Sequence, residues 1–200
     1  MTSAEAERPP TGTAPLADLH ARACEEFGDR VRAVRADQWG SPTPCTDWDV
    51  RTLVNHVVGE DRWTPPLLAG QTIAEVGDRF DSDLLGADPA GAYQQAAAEA
   101  VAAVKAPGAL TRTVHLSFGD APGSEYVWQL FTDHLIHAWD LARAIGADER
   151  LDPELVTACA EWFAGQEEAY RASGSIGPRV SVPAGADAQT VLLAAFGRAA

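Results

Sequence analysis

The sequence predicts an all-α fold in which four long helices form a bundle. Apolar residues recur at three- and four-residue spacing over several long segments, only one short segment alternates as a strand would, and proline or glycine separates the segments. Long helices with few strands pack against one another, and a bundle is the usual result. With 200 residues, the chain is long enough to bury one sizeable core.

The first two predicted helices are separated by a connection that contains proline and glycine. We predict the first helix over residues 16–36 from its apolar spacing. Thr46, followed three residues later by Asp49, resembles a capping box and predicts that the second helix begins near residue 48. This helix is expected over 48–63, because the prolines at 65–66 disfavour its continuation.

The middle of the chain contains a third helix and a strand-like segment. Residues 70–89 are acidic and irregular, which is typical of a long connection or a lid. The alanine-rich segment 90–105 has high helix propensity and predicts the third helix. Residues 113–118 alternate apolar and polar side chains and lead into turn residues, so we predict a short hairpin there.

The last part of the chain predicts the fourth helix, an additional C-terminal helix and a helical tail. The fourth helix is expected over 124–145, with Gly146 as the residue that ends it. Asp152 followed by proline is typical of a helix start, so a fifth helix is predicted over 153–169. A short final helix is expected over 187–196.

The charge of the chain argues against nucleic acid as a partner. Its 15 Lys and Arg residues face 29 Asp and Glu residues, which gives a formal net charge of −14. Nucleic acids and anionic membranes are bound through clustered Lys and Arg, whereas this chain has a single lysine, Lys105. No apolar run reaches the ~20 residues that a membrane-spanning helix needs. We therefore expect a small-molecule substrate, no nucleic acid and no membrane partner.

The cysteines and the N-terminal segment indicate one domain in a reducing compartment. Residues 1–14 lack the basic and apolar regions of a secretory signal and are predicted to be disordered, which leaves 15–200 as a single domain. Cys24, Cys45 and Cys159 are widely spaced and match neither a disulfide framework nor a zinc finger. The predicted localisation is therefore cytoplasmic.

The fourth helix carries polar residues on one side of an otherwise apolar element. At about 100° per residue, four of them are predicted to share one side within an arc of about 120°: Asp133, His134, His137 and Asp140. A solvated face would carry Lys, Arg or Glu instead. These polar groups are therefore either satisfied core residues or parts of a site.

The second helix offers a partner for this polar side. Asp133 and His137 are four residues apart, which places their side chains on adjacent turns, and His56 could complete a three-point site. Imidazole and carboxylate are usual ligands of zinc and related divalent metals, and bundle cores hold such sites. The alternative is an intrahelical Asp133–His137 pair that contributes roughly a few tenths of a kcal/mol.

Three separated segments resemble a known family: "PTPCTDWDVRTLVNHVVGE", "DHLIHAWDLARAIG" and "IGPRVSVPAGADAQTVLLAAFGR". Over about residues 15–198, the chain resembles DinB-like superfamily proteins of the actinobacterial group related to the N-terminal domain of mycothiol-dependent maleylpyruvate isomerase. The resemblance implies a DinB-like four-helix bundle that holds a divalent metal, most often zinc or nickel. It also implies that the metal ligands are His56, Asp133 and His137.

Two features depart from that family. The family pattern has glutamate where this chain has Asp133, whose carboxylate reaches one methylene less, and His134 is the alternate ligand, as the i, i+3 partner of His137. The isomerase also has a C-terminal domain that contributes to its active site, and this chain is expected to lack it. We therefore expect a reaction other than isomerisation of maleylpyruvate itself.

A divalent metal held by three side chains could activate a thiol or a water molecule. The resemblance implies mycothiol as a co-substrate, activated as the thiolate in a transferase or isomerase. In a metal-dependent hydrolase, Glu60 would act as general base. Asp140 could accept the free ring N–H of His137. A non-catalytic metal- or ligand-binding protein and a bundle that serves homodimerisation are the alternatives.

Other reactive side chains are predicted to be structural or to touch the substrate. Cys45 has no basic neighbour in the sequence that would activate its thiol, so a structural role is favoured. His20 and His115 are expected at the surface or in packing. Arg179 and Arg198 could hold an anionic substrate. Three tryptophans at helical spacing are expected in the core rather than at a pocket: Trp63, Trp128 and Trp139.

Overall fold

The four predicted long helices are all present in the computed structural model, which describes residues 14–200. The segment predicted to be disordered, 1–14, lies outside the described residues except at its last position. The helices are α1 (Leu16–Ala33), α2 (Val50–Leu68), α3 (Ile73–Val76), α4 (Pro89–Lys105), α5 (Gly123–Ile145), α6 (Pro153–Phe163), α7 (Glu167–Ala172) and α8 (Ala188–Ala195). The strands β1 (Thr113–Leu116) and β2 (Gly119–Pro122) form an antiparallel hairpin. Within 14–200, no helix is long and apolar enough to cross a membrane.

Helix α5 is the central element of the bundle. It packs against α1 and α2, and α4 packs against the same two helices. Its large side chains Phe131, Leu135 and Trp139 are no more than 1% exposed. Burial of one such side chain stabilises a fold by roughly 1.5–3 kcal/mol. The packing around α5 therefore fixes the positions of the polar residues that the helix carries, and the all-α prediction is confirmed.

Helix α2 extends further than predicted, because it continues through Pro65 and Pro66 to Leu68. Each proline lacks the N–H that an internal helical residue donates. However, Leu67 and Leu68 are only 4% and 2% exposed, so their burial stabilises the last turn. The prediction that the prolines end this helix was wrong, since tertiary packing outweighs the local cost.

The start of α2 also differs from the predicted capping box. Asp49, rather than Thr46, is the N-cap, and its carboxylate accepts a hydrogen bond from the Thr52 N–H at 2.8 Å. An Asp N-cap satisfies one of the free amide groups of the first turn. The helix therefore begins two residues later than predicted, at Val50.

The connection between α1 and α2 is attached to the end of α5. The Gln38 side chain donates a hydrogen bond to the Ile145 carbonyl at 2.9 Å. Within the connection, Pro42 and Asp49 form an isolated antiparallel bridge. These contacts hold residues 43–48 over the polar side of α5, where they become part of the site.

The predicted hairpin is confirmed, but its first strand is shorter than the alternating segment 113–118. The strand ends at Leu116, which lies opposite Gly119 in the register. Phe118 belongs to the turn and is 67% exposed. The alternation of apolar and polar residues therefore continues in the sequence beyond the end of the strand and into the turn of the hairpin.

The predicted fifth helix is two helices. Helix α6 begins at Pro153 as predicted but ends at Phe163, and α7 begins at Glu167. Gly165 lies between them and disfavours a continuous helix. The Phe163 ring stacks on Phe196 of the tail at 3.9 Å between ring centres. The break thus lets the tail return to α5.

Candidate metal centre

The three residues predicted to bind a metal lie together between α2 and α5. His137 Nε2 is 3.3 Å from Asp133 Oδ1, and His56 Nε2 is 3.3 Å from Asp133 Oδ2. The two imidazole rings stand nearly perpendicular, with their centres 5.3 Å apart. One donor atom from each residue lies within 4.8 Å of the others. The helical spacing predicted the Asp133–His137 contact, and the packing of α2 on α5 supplies His56.

The donor atoms of this group fit a divalent metal. Among residues 14–200, the buried Asp133 Oδ2 has no hydrogen-bond partner of acceptable geometry, although His56 Nε2 lies nearby. A buried carboxylate oxygen without a partner is costly, and a cation between the three donors would satisfy it. Two imidazoles and one carboxylate are also a ligand set found in catalytic zinc sites.

The electrostatics of the group favour a charged carboxylate. Burial by itself would raise the pKa of Asp133, but the imidazoles of His137 and His56 outweigh it and hold that pKa well below its usual value. Burial would likewise lower the pKa of His137, and Asp133 reverses the effect. The site is therefore built around an ionised Asp133, the form that coordinates a metal.

Asp140 lies behind His137, as predicted for a residue that orients a ligand. Its Oδ2 is 3.0 Å from His137 Nδ1, and the side chain is fully buried. Arg198, from the tail, donates hydrogen bonds to both Asp140 oxygens at 3.2 and 2.8 Å. Despite burial, the hydrogen bonds from His137 and Arg198 lower the pKa of Asp140. The ionised Asp140 thus holds the His137 proton on Nδ1 and leaves Nε2 free to coordinate.

Cys45, for which the sequence favoured a structural role, lies at the wall of the site. Its Sγ is 3.3 Å from Asp140 Oδ2 and 3.8 Å from His137 Nδ1. Cys45, His137 and Asp140 could also hold a cation. However, Asp140 already accepts hydrogen bonds from Arg198, so this set is less suited to a metal. No local spacing in the sequence indicates this position, because Cys45 reaches α5 from the connection before α2.

His134, the alternate ligand, lies on another side of α5. Its Nδ1 donates to the Leu130 carbonyl at 2.8 Å, and its Nε2 is 3.3 Å from Asp61 Oδ1. The prediction that all four polar groups share one side was wrong. At about 100° from Asp133 around the helix, His134 already faces a different neighbour. The structure therefore does not bring His134 to His56.

A cavity of about 840 Å³ opens next to the three candidate ligands. Trp48 forms part of its wall, with its ring centre 4.9 Å from that of His56. Polar groups that line it include Glu60, Tyr126, Gln129 and Arg198. Burial, followed by the charge of Asp133, raises the pKa of Glu60. The cavity therefore combines the candidate ligands with a carboxyl group suited to proton transfer.

The remaining residues considered from the sequence lie away from this cavity. Arg179 pairs with Glu167 at the surface, unlike Arg198. His115 pairs with Asp120 across the hairpin at 2.7 Å. The three tryptophans are packed rather than cavity-lining: Trp63 on Phe80, Trp128 on Trp162, and Trp139 in the core. His20 is buried in a second cluster, with Cys24, Asp61 and His134.

Comparison with known proteins gives one curated relative of substantial identity. An uncharacterized protein of Mycobacterium tuberculosis, found in two strains, is 38% identical over 145 residues. The match covers 68% of this chain and 70% of that protein.

Solved structures show the same fold. Crystal structures of mycothiol-dependent maleylpyruvate isomerase and of a histidine-to-alanine mutant match with TM-scores of 0.59 and 0.64, at 17% and 16% identity. Each match covers 83% of this chain and 75% of the solved chain. The family model described as the mycothiol maleylpyruvate isomerase N-terminal domain matches residues 20–142, which contain all three candidate ligands. The chain belongs to the family of the mycothiol maleylpyruvate isomerase N-terminal domain.

Proposed function

We propose that this protein is a metal-dependent enzyme that adds a low-molecular-weight thiol of the mycothiol type to a small electrophile, as a transferase or isomerase. The observation that carries the proposal is the convergence of His56, Asp133 and His137 beside a large cavity. Membership of a family named for a mycothiol isomerase supports the thiol. At about 840 Å³, the cavity is of a size that ligand-binding sites have.

Three side chains would hold the metal and leave it open to the cavity. Two imidazoles and one carboxylate from the protein leave a coordination position for a substrate atom, as catalytic zinc sites do. Zinc suits these donors best, and nickel shares the preference for imidazole. When bound, the metal would lower the pKa of a coordinated thiol and favour the thiolate, which is the nucleophilic form.

Glu60 is the group that we assign to proton transfer. Its raised pKa makes it a stronger base than an exposed carboxylate. Glu60 accepts the proton of the entering thiol, and the sulfur forms a bond to an electrophilic carbon of the substrate. The proton then returns from Glu60 to the substrate atom that has gained the electron pair. In an isomerase, Glu60 removes this proton again, the carbon–sulfur bond breaks with its electron pair going to sulfur, and the sulfur takes the proton from Glu60 and leaves as the thiol.

Metal analysis combined with thiol titration tests this proposal. We expect His56→Ala and His137→Ala each to lose metal and to lose binding of mycothiol in calorimetry. The control is His115→Ala in the hairpin, which should keep both. If both ligand variants retain the full wild-type metal content, the proposed centre is wrong. If the metal-loaded wild type binds the thiol without turnover of any electrophile, it is a binding protein rather than an enzyme.

A metal-dependent hydrolase is the second candidate function. The position of Glu60 is compatible with this function as well as with thiol transfer. A carboxylate with a raised pKa beside the candidate ligands is equally placed to take a proton from water. Assays with ester and amide substrates, with and without thiol, separate the two functions. Turnover that needs no thiol supports hydrolysis, and turnover that requires thiol supports transfer.

A further inference from the structure

A second cluster of metal-ligating side chains lies in the sealed core between α1, α2 and α5. It consists of His20 and Cys24 on α1, Asp61 on α2 and His134 on α5. Cys24 is 4% exposed, and the other three are 0% exposed. One donor atom from each lies within 4.8 Å of the other three. Four side chains with these donor types are the full ligand set of a closed metal site.

The closest distances within this cluster match those between the ligands of a tetrahedral zinc ion. Zinc–nitrogen bonds of about 2.05 Å and zinc–sulfur bonds of about 2.3 Å place nitrogen and sulfur about 3.5 Å apart and nitrogen and oxygen about 3.3 Å apart. His20 Nε2 lies 3.6 Å from Cys24 Sγ. His134 Nε2 lies 3.3 Å from Asp61 Oδ1. The remaining pairs of donor atoms lie within 4.8 Å of one another.

Two further observations favour a bound cation at this cluster. Within residues 14–200, Asp61 Oδ1 is a buried oxygen with no hydrogen-bond partner of acceptable geometry. His134 donates its Nδ1–H to the Leu130 carbonyl at 2.8 Å, which directs Nε2 into the cluster. A backbone carbonyl on the other ring nitrogen is the usual arrangement behind a metal-binding histidine.

The charges of the cluster also balance around a divalent ion. The Asp61 carboxylate and a Cys24 thiolate supply two negative charges, and two neutral imidazoles add none. The aromatic rings of Phe27 and Tyr93 lie 6.1 and 6.5 Å from the His134 ring and exclude water. A neutral complex is the form that such an apolar environment accepts.

We propose that His20, Cys24, Asp61 and His134 bind a zinc ion as a second, closed site that joins α1, α2 and α5. All four coordination positions come from the protein, so this site has a structural role and takes no substrate. The nearest alternative is a metal-free His134–Asp61 ion pair beside a protonated thiol.

Cobalt substitution distinguishes the closed metal site from the metal-free ion pair, because a cysteine thiolate bound to cobalt gives a near-ultraviolet charge-transfer band. The protein is produced in medium with cobalt in place of zinc, since a sealed site exchanges metal slowly. We expect two cobalt ions per chain and this band in the wild type. Cys24→Ser should lose one ion and the band, and His56→Ala should lose one ion and keep the band. Controls are Cys159→Ser and Cys45→Ser, which should both keep the band.

The wild-type protein alone can overturn the proposal, so the test does not depend on whether a variant folds. A wild type without the charge-transfer band contradicts a metal–thiolate bond at Cys24. A band that survives in Cys24→Ser but disappears in Cys45→Ser would also contradict it, by placing the thiolate at the open centre. Asp61→Asn gives a second variant that keeps the side-chain volume, and it should bind one ion less than the wild type.

Discussion

Two polar clusters meet on α5, and they differ in their access to solvent. At the open centre, the side chains of His56 and Asp133 are 30% and 29% exposed, and a cavity lies beside them. In the closed cluster, the side chains of Asp61 and His134 are 0% exposed. Both use imidazole and carboxylate groups, and Asp133 and His134 are neighbours in the chain. The same residue types can therefore serve chemistry on one side of a helix and stability on another.

The largest expected loss of folding stability follows from a substitution in the closed cluster. Asp61→Ala leaves His134 without its carboxylate in a dry core, and loss of one partner of a buried pair destabilises a fold by about 3–5 kcal/mol. Asp133→Ala, on the partly exposed side, should cost about 1 kcal/mol or less. Urea unfolding of both variants measures this difference. Equal losses of stability would contradict the distinction between the two clusters.

Removal of a ligand at the open centre should mainly affect metal binding. His137→Ala deletes a direct ligand, so we expect metal affinity there to fall by more than the roughly 100-fold that loss of an outer hydrogen-bond partner can cause. Competition with a chromogenic chelator measures the affinity, and circular dichroism should show an unchanged helix content. A wild-type affinity in this variant would exclude His137 as a ligand.

Substitution of Asp140, which lies behind His137, should lower metal affinity by a smaller factor. Asp140→Asn keeps the shape of the side chain but no longer holds the proton of His137 on Nδ1. We expect metal affinity to fall by about 10–100-fold. Matched measurement of Asp133→Asn should show a larger loss. If Asp140→Asn binds metal as well as the wild type, Asp140 serves only to pair with Arg198.

The smallest expected effect on stability concerns the surface ion pairs that Glu167 forms with Arg179 and Arg171. Hydrogen bonds from Arg179 and then Arg171 lower the pKa of Glu167 from its usual 4.5 to about 2. The lowered value means that Glu167 stabilises the fold above pH 4.5 and loses this contribution as the pH falls towards 2. We expect Glu167→Gln to reduce stability at pH 7 by less than about 1 kcal/mol. Unfolding curves of variant and wild type should converge at the acid end of this range.

Most of the helices could be predicted from the sequence because their signals are local. Apolar spacing located α1 and α5, high helix propensity located α4, and Gly146 ends α5 with a positive φ of 68° as predicted. The errors occur where distant residues decide the outcome. Burial of Leu67 and Leu68 extends α2 past two prolines, and the tail that packs on Phe163 accompanies the break after α6.

The same distinction between local signals and contacts of distant residues holds for the candidate site. The i, i+4 spacing of Asp133 and His137 and the separation of Asp140 from His137 are properties of one helix, so the sequence alone predicted that these side chains interact. The contacts of Cys45 and Arg198 with Asp140 span 95 and 58 residues of chain. No periodic pattern encodes such contacts, because they depend on where the α1–α2 connection and the C-terminal tail lie against α5.

The sequence by itself determined the helical class, the family resemblance and the residues that α5 offers on each of its sides. Only the tertiary structure decided which neighbour each side meets. Asp133 faces the cavity and His56, whereas His134 faces Asp61 in the sealed core. The physical reason is that a rotation of about 100° between successive helical residues separates one packing partner from the next. Helical periodicity sets the angle between side chains, and the packing of the other helices sets what lies at each angle.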